Sequence, residues 1–488
     1  MTNKLTKLKE TSAPVENFKF NKDSLSSKSG EKFSKALWND NNNLNPNVTE
    51  FLSTIETDYQ LYPHIIESLK AQFKMHIKRH VIPEHEGKQL TEALDKIQKE
   101  LTDNKSSHKD VSSIYLMIEN RISEIAPEAY LWFSAARSHS SQVVGDLKIW
   151  TRNAIDIIDS SLQTLQAKLI DRAEDTVKTI FSANSHGQLS QPSSFGHHLL
   201  AYVEMFGRDR LRLKDARSRM NESPYASGEI VGSSFNLNRE MVARILSFDR
   251  ASLNSVDAVC STDFVIEFIA CVSNCFVNIS RLASEMILWH STNNNYINFS
   301  SAFVDQSSVL PYRRDQISLE SIRAKAGKTM GYLASALAMS KDLPLEPTRD
   351  IFEMFDITID SFKNLNSSTQ ILALMVSNFT LNRKIMKEAA SKNFSTAQDL
   401  VDWIMQKTNV NSVEAKNKAR KIIEYAIEKG KKLSLLELDE IKKIEPLADE
   451  EIYSVLIPSR ALIARRSGNG SNPVQVRKAI RSLKRRYC

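Results

Sequence analysis

The chain has 488 residues with a formal net charge of +7, 41% hydrophobic and 25% charged residues, and only 13 Gly and 13 Pro. These values exclude a wholly disordered chain and leave room for several domains or one large helical subunit. So few breakers over this length predict long helices. The cationic excess gathers in the tail 474–488, where Val474, Val476, Ala479, Ile480 and Leu483 recur at helical spacing. That pattern predicts a basic amphipathic helix, and with no aromatic platform or zinc motif beside it no nucleic-acid partner is expected. Cys260, Cys271, Cys275 and Cys488 form no metal-ligand spacing and read as free thiols of a reducing cytoplasm.

In chain order, residues 1–35 lack an apolar signal core and read as a disordered extension rather than a targeting peptide. Helical patterns begin near Val48. A long helix is predicted over about 142–180, with Val143, Leu147, Trp150, Ile155, Ile158, Leu162, Leu165 and Leu169 on one face. The breaker-rich stretch SANSHGQLSQPSSFG, 182–196, reads as a loop before a second helix over about 196–221. Further helices are predicted over about 261–291, 318–341 and 351–389. The most apolar segment, 264–279, is interrupted by Glu267 and Asn274 and is short for a membrane span, so no transmembrane helix is expected. From about Phe394 shorter helices follow, the first capped by Ser395 or Thr396 and the second ended by Gly430. The fold class is all-α, an elongated helical bundle with strands at most a minor part.

The segment 301–320, SAFVDQSSVLPYRRDQISLE, lacks helical periodicity until its end and combines Ser307, Ser308, Pro311, Arg313, Arg314 and Glu320. Hydroxyls and cations on one loop suit removal of a carbon-bound proton, because the cations can hold the negative charge that develops. In isolation the same residues equally describe a basic surface loop.

Three strings, QPSSFGHHLLAYVEMFGRDRLRL at 191–213, GSSFNLNREMVARILSFDRASLNSVDAVCSTDFVIEF at 232–268, and the terminal STAQDLVDW with PVQVRKAI, carry a resemblance to argininosuccinate lyase and its lens form delta-crystallin, within the fumarase/aspartase superfamily. The resemblance extends in order from Leu37 to Leu483. It implies a three-domain subunit, with an N-terminal helical domain at 36–136, a central long-helix bundle at 137–390 and a small helical domain at 391–488. It further implies a homotetramer whose active sites each draw on three subunits and a small amino-acid substrate; the sequence carries no nucleotide loop, metal-ligand cluster or Cys nucleophile signature, so no cofactor is expected. The catalytic residues carried over are Ser307 as carbon base and His186 with its carboxylate partner Glu320. A histidine oriented by a buried carboxylate is a good proton carrier near neutral pH. The substrate-binding set is Ser138, Gln142, Ser185, Gln188, Ser308, Arg313, Asp315 and Arg239.

Departures from the family pattern cluster at these positions. In the signature loop Gln306 stands for the glycine, Arg313 for a lysine and Asp315 for an asparagine. An unpaired carboxylate about 4 Å from a substrate carboxylate costs on the order of 4 kcal/mol at an effective dielectric near 20, unless Arg313 or Arg314 neutralises it. The family's Ser-Arg-Asn-Asp stretch becomes Ser138, His139, Ser140, Ser141, while Arg137, Gln142 and Asp146 match. Pro347 and Phe352 replace a tyrosine and a glutamine of the region that grips the arginine half of the substrate. Thr54 and Ser68 fall on family serines, His64 and Glu67 replace an aspartate and a glycine, and Tyr115 replaces a histidine while Glu119 is kept. Three functions fit: cleavage of argininosuccinate to arginine and fumarate, a related carbon–nitrogen lyase with another substrate, and a non-catalytic relative kept for binding or structure.

Overall fold

The computed structural model describes residues 45–103, 111–306, 308–310, 312–392 and 394–487. The expected extension at 1–35, the carbon base Ser307 and Cys488 lie outside the described residues.

Helix α1 (Tyr62–Lys78), α2 (Glu84–Thr102) and α3 (Ile114–Ile125) pack together before the long rods begin. The longest rod is α4, His139–Asp175, 37 residues. Its start is fixed by Ser138, whose hydroxyl accepts from the Ser141 amide at 3.2 Å as an N-cap. Its buried stripe includes Val143, Leu147, Ile158, Leu162, Leu165 and Leu169. The helix stops at Asp175 rather than running to 180, because the β-branched residues of TVKTIF favour extended backbone.

The stretch read as a loop at 182–196 is instead an antiparallel hairpin. Strand β1 (Ile180–Ser185) pairs with β2 (Gln188–Ser194), with Ile180 opposite Ser194 and Ser185 opposite Gln188. His186 and Gly187 make the two-residue turn, at φ +52° and +74°. Positive φ at both central residues matches the turn to the twist of its strands.

Helix α5 (Phe195–Met220) returns along α4, and Gly196 lets the two approach, since a Cβ there would lie 2.4 Å from the Ala173 carbonyl oxygen. Helix α6 (Asp263–His290), α7 (Ile317–Ser340) and α8 (Asp350–Asn378) complete the bundle. One continuous core runs through all five rods. Among the described residues α6 is the one helix long and apolar enough to cross a membrane, yet Phe268, Val272, Phe276 and Ile279 are buried in that core. Between α6 and α7 two short strands, β3 (Asp305–Gln306) and β4 (Arg314–Asp315), pair antiparallel. The helix expected over 351–389 breaks after Asn378, where Thr380 and Leu381 pair with residues 297–298 and Asn382 caps a separate short helix.

Beyond it α9 (Ala397–Thr408) and α10 (Ser412–Glu428) form a second core around Leu400, Ile404, Ala419, Ile422 and Ile441. Neither expected cap serves α9: the Ser395 hydroxyl donates to the Ala390 carbonyl and that of Thr396 to the Leu456 carbonyl. Both are turned back into the fold, away from the α9 amides. Gly430, at φ +60°, follows α10 as expected. The basic helix α11 (Pro473–Tyr487) lays Val476, Ile480 and Leu483 against α4 and α5. Tyr487 fills the space left by Gly207, where a Cβ would lie 2.3 Å from the ring.

Candidate functional site

At the hairpin, Ser185, His186 and Gln188 are exposed, with His186 held at the tip by the tight turn. In the β3–β4 loop Ser308 is exposed, and Arg313 donates to Asp315 at 2.5 Å. The added carboxylate is therefore neutralised within its own loop. Glu320 sits on the first turn of α7 and is exposed in the single chain, whereas a buried partner for His186 was expected. Its position beside the exposed loop explains this, and any burial has to come from another molecule.

A second group of site residues lies around the start of α4. Ser138 caps that helix and also reaches Glu229 at 3.5 Å, and Ser140 donates to Glu229 at 2.8 Å. Gln142 is 1% exposed, closed beneath the surface. A cavity of about 350 Å³ opens above them, bordered by Thr54, Tyr115, Glu119, Arg137, His139 and Phe352. Pro347 borders an adjoining cavity of about 470 Å³ with Glu229 and Cys260. Positions 54, 115, 119, 137–142 and 347–352, scattered in sequence, thus converge. Arg239 lies apart from them: its guanidinium is taken up by the Ser252 and Tyr225 carbonyls and the Ser227 hydroxyl.

The electrostatics of this end follow from burial. Partial desolvation, with the Arg137 guanidinium beside it, lowers the His139 ring below its ordinary value, although the side chain keeps an edge open to solvent. Burial likewise holds His64 and His76 at about 4. Arg137 is lowered to about 10 by desolvation and stays charged, with Glu119 opposing that shift. Underneath, Asp146 is fully buried, and desolvation raises its carboxyl from 3.8 to about 7. The Tyr225 hydroxyl donates to it at 2.6 Å. Gly145 leaves room for that ring, since a Cβ there would lie 2.4 Å from it.

The two groups sit at opposite ends of the bundle. Helix α4, 37 residues at 1.5 Å each, is about 55 Å long, with His139 at its start. The base of the hairpin packs by Ala173 near its other end. A six-residue strand reaches at most about 20 Å, so His186 stays at least about 30 Å from the cavity of the same chain. The loop is equally remote: α7, 24 residues or about 36 Å, runs from it to Ser340, which borders the adjoining cavity with His139. A small substrate can meet both groups only if different copies supply them.

Sequence reasoning missed Arg349, which borders the cavity and donates to the Leu52 carbonyl, and Glu229, the partner of the two serines. It also missed Tyr225, 79 residues from Asp146 in the chain. None of the three stands in a motif. Only the run ending at Phe352, where Arg349 lies, was flagged at all.

A family model described as Lyase matches residues 42–331, and one described as Argininosuccinate lyase C-terminal matches residues 394–462. Among solved structures, EDDS lyase in complex with formate superposes with a TM-score of 0.80 at 20% identity, covering 88% of this chain and 87% of that one. A fumarate lyase from Mesorhizobium sp. BNC1 gives 0.72 at 16% identity, covering 89% and 97%. A class II fumarase from Schistosoma mansoni gives 0.71 at 14%, covering 84% and 92%. At these identities the structures share the fold.

Proposed function

This chain belongs to the lyase family, within the fumarase/aspartase superfamily, and from that premise we propose that it is a carbon–nitrogen lyase releasing fumarate from an N-substituted aspartate. The observation carrying the reading is the family match, which spans both the His186 hairpin and the loop around Arg313.

In the proposed reaction Ser307 takes the proton from the succinyl carbon next to a carboxylate. The electron pair left behind forms the carbon–carbon double bond as the carbon–nitrogen bond on the opposite face breaks. His186, oriented by Glu320, passes a proton to the departing nitrogen, so fumarate and a neutral amine result. Arg313 holds the charge that spreads onto the carboxylate in the transition state. The separation of about 30 Å within one chain supports assembly of each site from several copies, and a homotetramer divided at 36–136, 137–390 and 391–488 is part of the proposal.

Argininosuccinate, yielding arginine and fumarate, is the reference substrate. A changed substrate is the second reading, favoured by the His139 and Phe352 rings where the family carries an arginine and a glutamine. The test is fumarate release from argininosuccinate, followed by ultraviolet absorbance, against ordinary turnover of about 1 to 1000 per second. Turnover in that range, lost in Ser307→Ala, supports the reference substrate. Its absence in folded protein, with other N-substituted aspartates also inert, rejects the lyase reading in favour of a binding or structural role.

A further inference from the structure

The cavity at the start of α4 has a charge and shape that the elimination chemistry leaves unused. Among the described residues two guanidinium groups border it, those of Arg137 and Arg349, against one carboxylate, Glu119. Glu119 is already engaged, accepting from the Tyr130 hydroxyl at 2.9 Å and standing 3.8 Å from Arg137. The Arg137 side chain is 10% exposed and lies with its Cζ 3.7 Å over the Phe133 ring, and its buried Nη1 has no hydrogen-bond partner. An orphaned donor on a buried cation is costly, and it is satisfied best by an anionic acceptor. Glu229, the other carboxylate near His139, faces the adjoining cavity and is taken up by Ser138 and Ser140.

The walls add a second, independent observation. The His139 ring meets Tyr115 edge-on at 5.2 Å and lies stacked with Phe352 at 6.3 Å and 22°. Together with Phe133 these rings give the cavity flat apolar faces, and among the described residues that border it no side-chain amide or unengaged carboxylate stands to receive a guanidinium. A cationic guest would meet two like charges. A planar anion would lie along the rings and present its oxygens to the two guanidinium groups that border the cavity.

We propose that this cavity accepts an aromatic carboxylate, and that the amine half of the substrate ends in such a group in place of a guanidinium. Its role in turnover rests on the lyase reading, but the binding preference does not.

The experiment is calorimetric titration of the full-length protein with benzoate and phthalate, and with benzamidine and L-arginine as cationic counterparts. The carboxylates are expected to bind at least about tenfold more tightly than the cations, and Arg137→Gln to weaken them about tenfold or more, as loss of a charge-assisted hydrogen bond implies. Should that variant fail to fold, Phe352→Gln, at the wall shared with the adjoining cavity, is expected to cost carboxylate binding about threefold or more. Equal or tighter binding of benzamidine or L-arginine overturns the proposal, as does the absence of carboxylate binding at millimolar concentration. Fumarate release from N-(carboxyphenyl)aspartate and argininosuccinate separates this idea from the lyase reading. Carboxylate binding without fumarate from either compound leaves the cavity assignment standing and removes the lyase, whereas faster release from argininosuccinate removes the assignment and keeps the lyase.

Discussion

Arg313 and Asp315 form an ion pair at 2.5 Å two residues apart, so the loop neutralises the carboxylate that departs from the family pattern. With side chains 59% and 28% exposed, such a pair contributes at most about 1 kcal/mol. Asp315→Asn is therefore expected to change kcat/KM for fumarate release by no more than about fivefold. Arg313→Gln removes a cation from the developing charge and is expected to lower it about 100-fold or more. A fumarate assay on both variants checks the pair.

His186 occupies a positive-φ position, which asparagine tolerates better than most residues. His186→Asn should keep the hairpin, with a Tm within about 2 °C of the parent, since a tolerated exposed substitution changes stability by about 0.5 kcal/mol at most. The same variant should lose about 100- to 10,000-fold in kcat, the usual contribution of a positioned acid–base group. A matched fall in Tm and activity would make His186 a turn residue only.

Asp146 gives a pH signature. Its carboxyl, raised by burial from 3.8 to about 7, keeps its proton in the folded chain where the unfolded chain has lost it. Between those values the folded state binds more protons, so stability falls as pH rises, on the order of 1 kcal/mol per pH unit. His64 and His76, lowered to about 4 by desolvation, act oppositely, losing stability as pH falls below about 6.5. Asp146→Asn isolates the first effect while leaving an acceptor for Tyr225. Melting curves from pH 5 to pH 8 should show the parent falling relative to the variant, and parallel curves would refute the assignment.

Gly207→Ala tests the seat of the terminal helix. A Cβ 2.3 Å from the Tyr487 ring forces that ring outward, and overpacking of this kind costs about 1–3 kcal/mol. Lower Tm with faster proteolytic removal of α11 is expected, and no change in either would mean the ring is easily accommodated.

Much of the fold was legible because long amphipathic rods announce themselves by period. The apolar positions from Val143 to Leu169 needed no tertiary information, and the boundaries of α5, α6 and α7 fall close to those read from pattern. The hairpin was missed because its strands are polar, with a Pro and five Ser among them, and only the His-Gly turn hinted at it. The altered pocket positions were visible as departures from the family pattern. Their convergence was not, since neither the stacking of His139 on Phe352 nor the Tyr225 bond to Asp146 leaves any trace in local spacing. The distance between the hairpin and the cavity follows from helix length once the ends of α4 are known.

The docking of α11 bears on how the chain reaches its native state. The Tyr487 hydroxyl donates to Glu204, a contact spanning 283 residues, and Arg210 holds the Tyr487 carbonyl across 277. Contacts of such long range form late, because loop-closure entropy has to be overcome before they contribute. Until α11 arrives, the groove between α4 and α5 is open to solvent. The terminal helix thus acts as a latch on the folding pathway, and conditions that slow its closure prolong the interval in which the rods can associate wrongly.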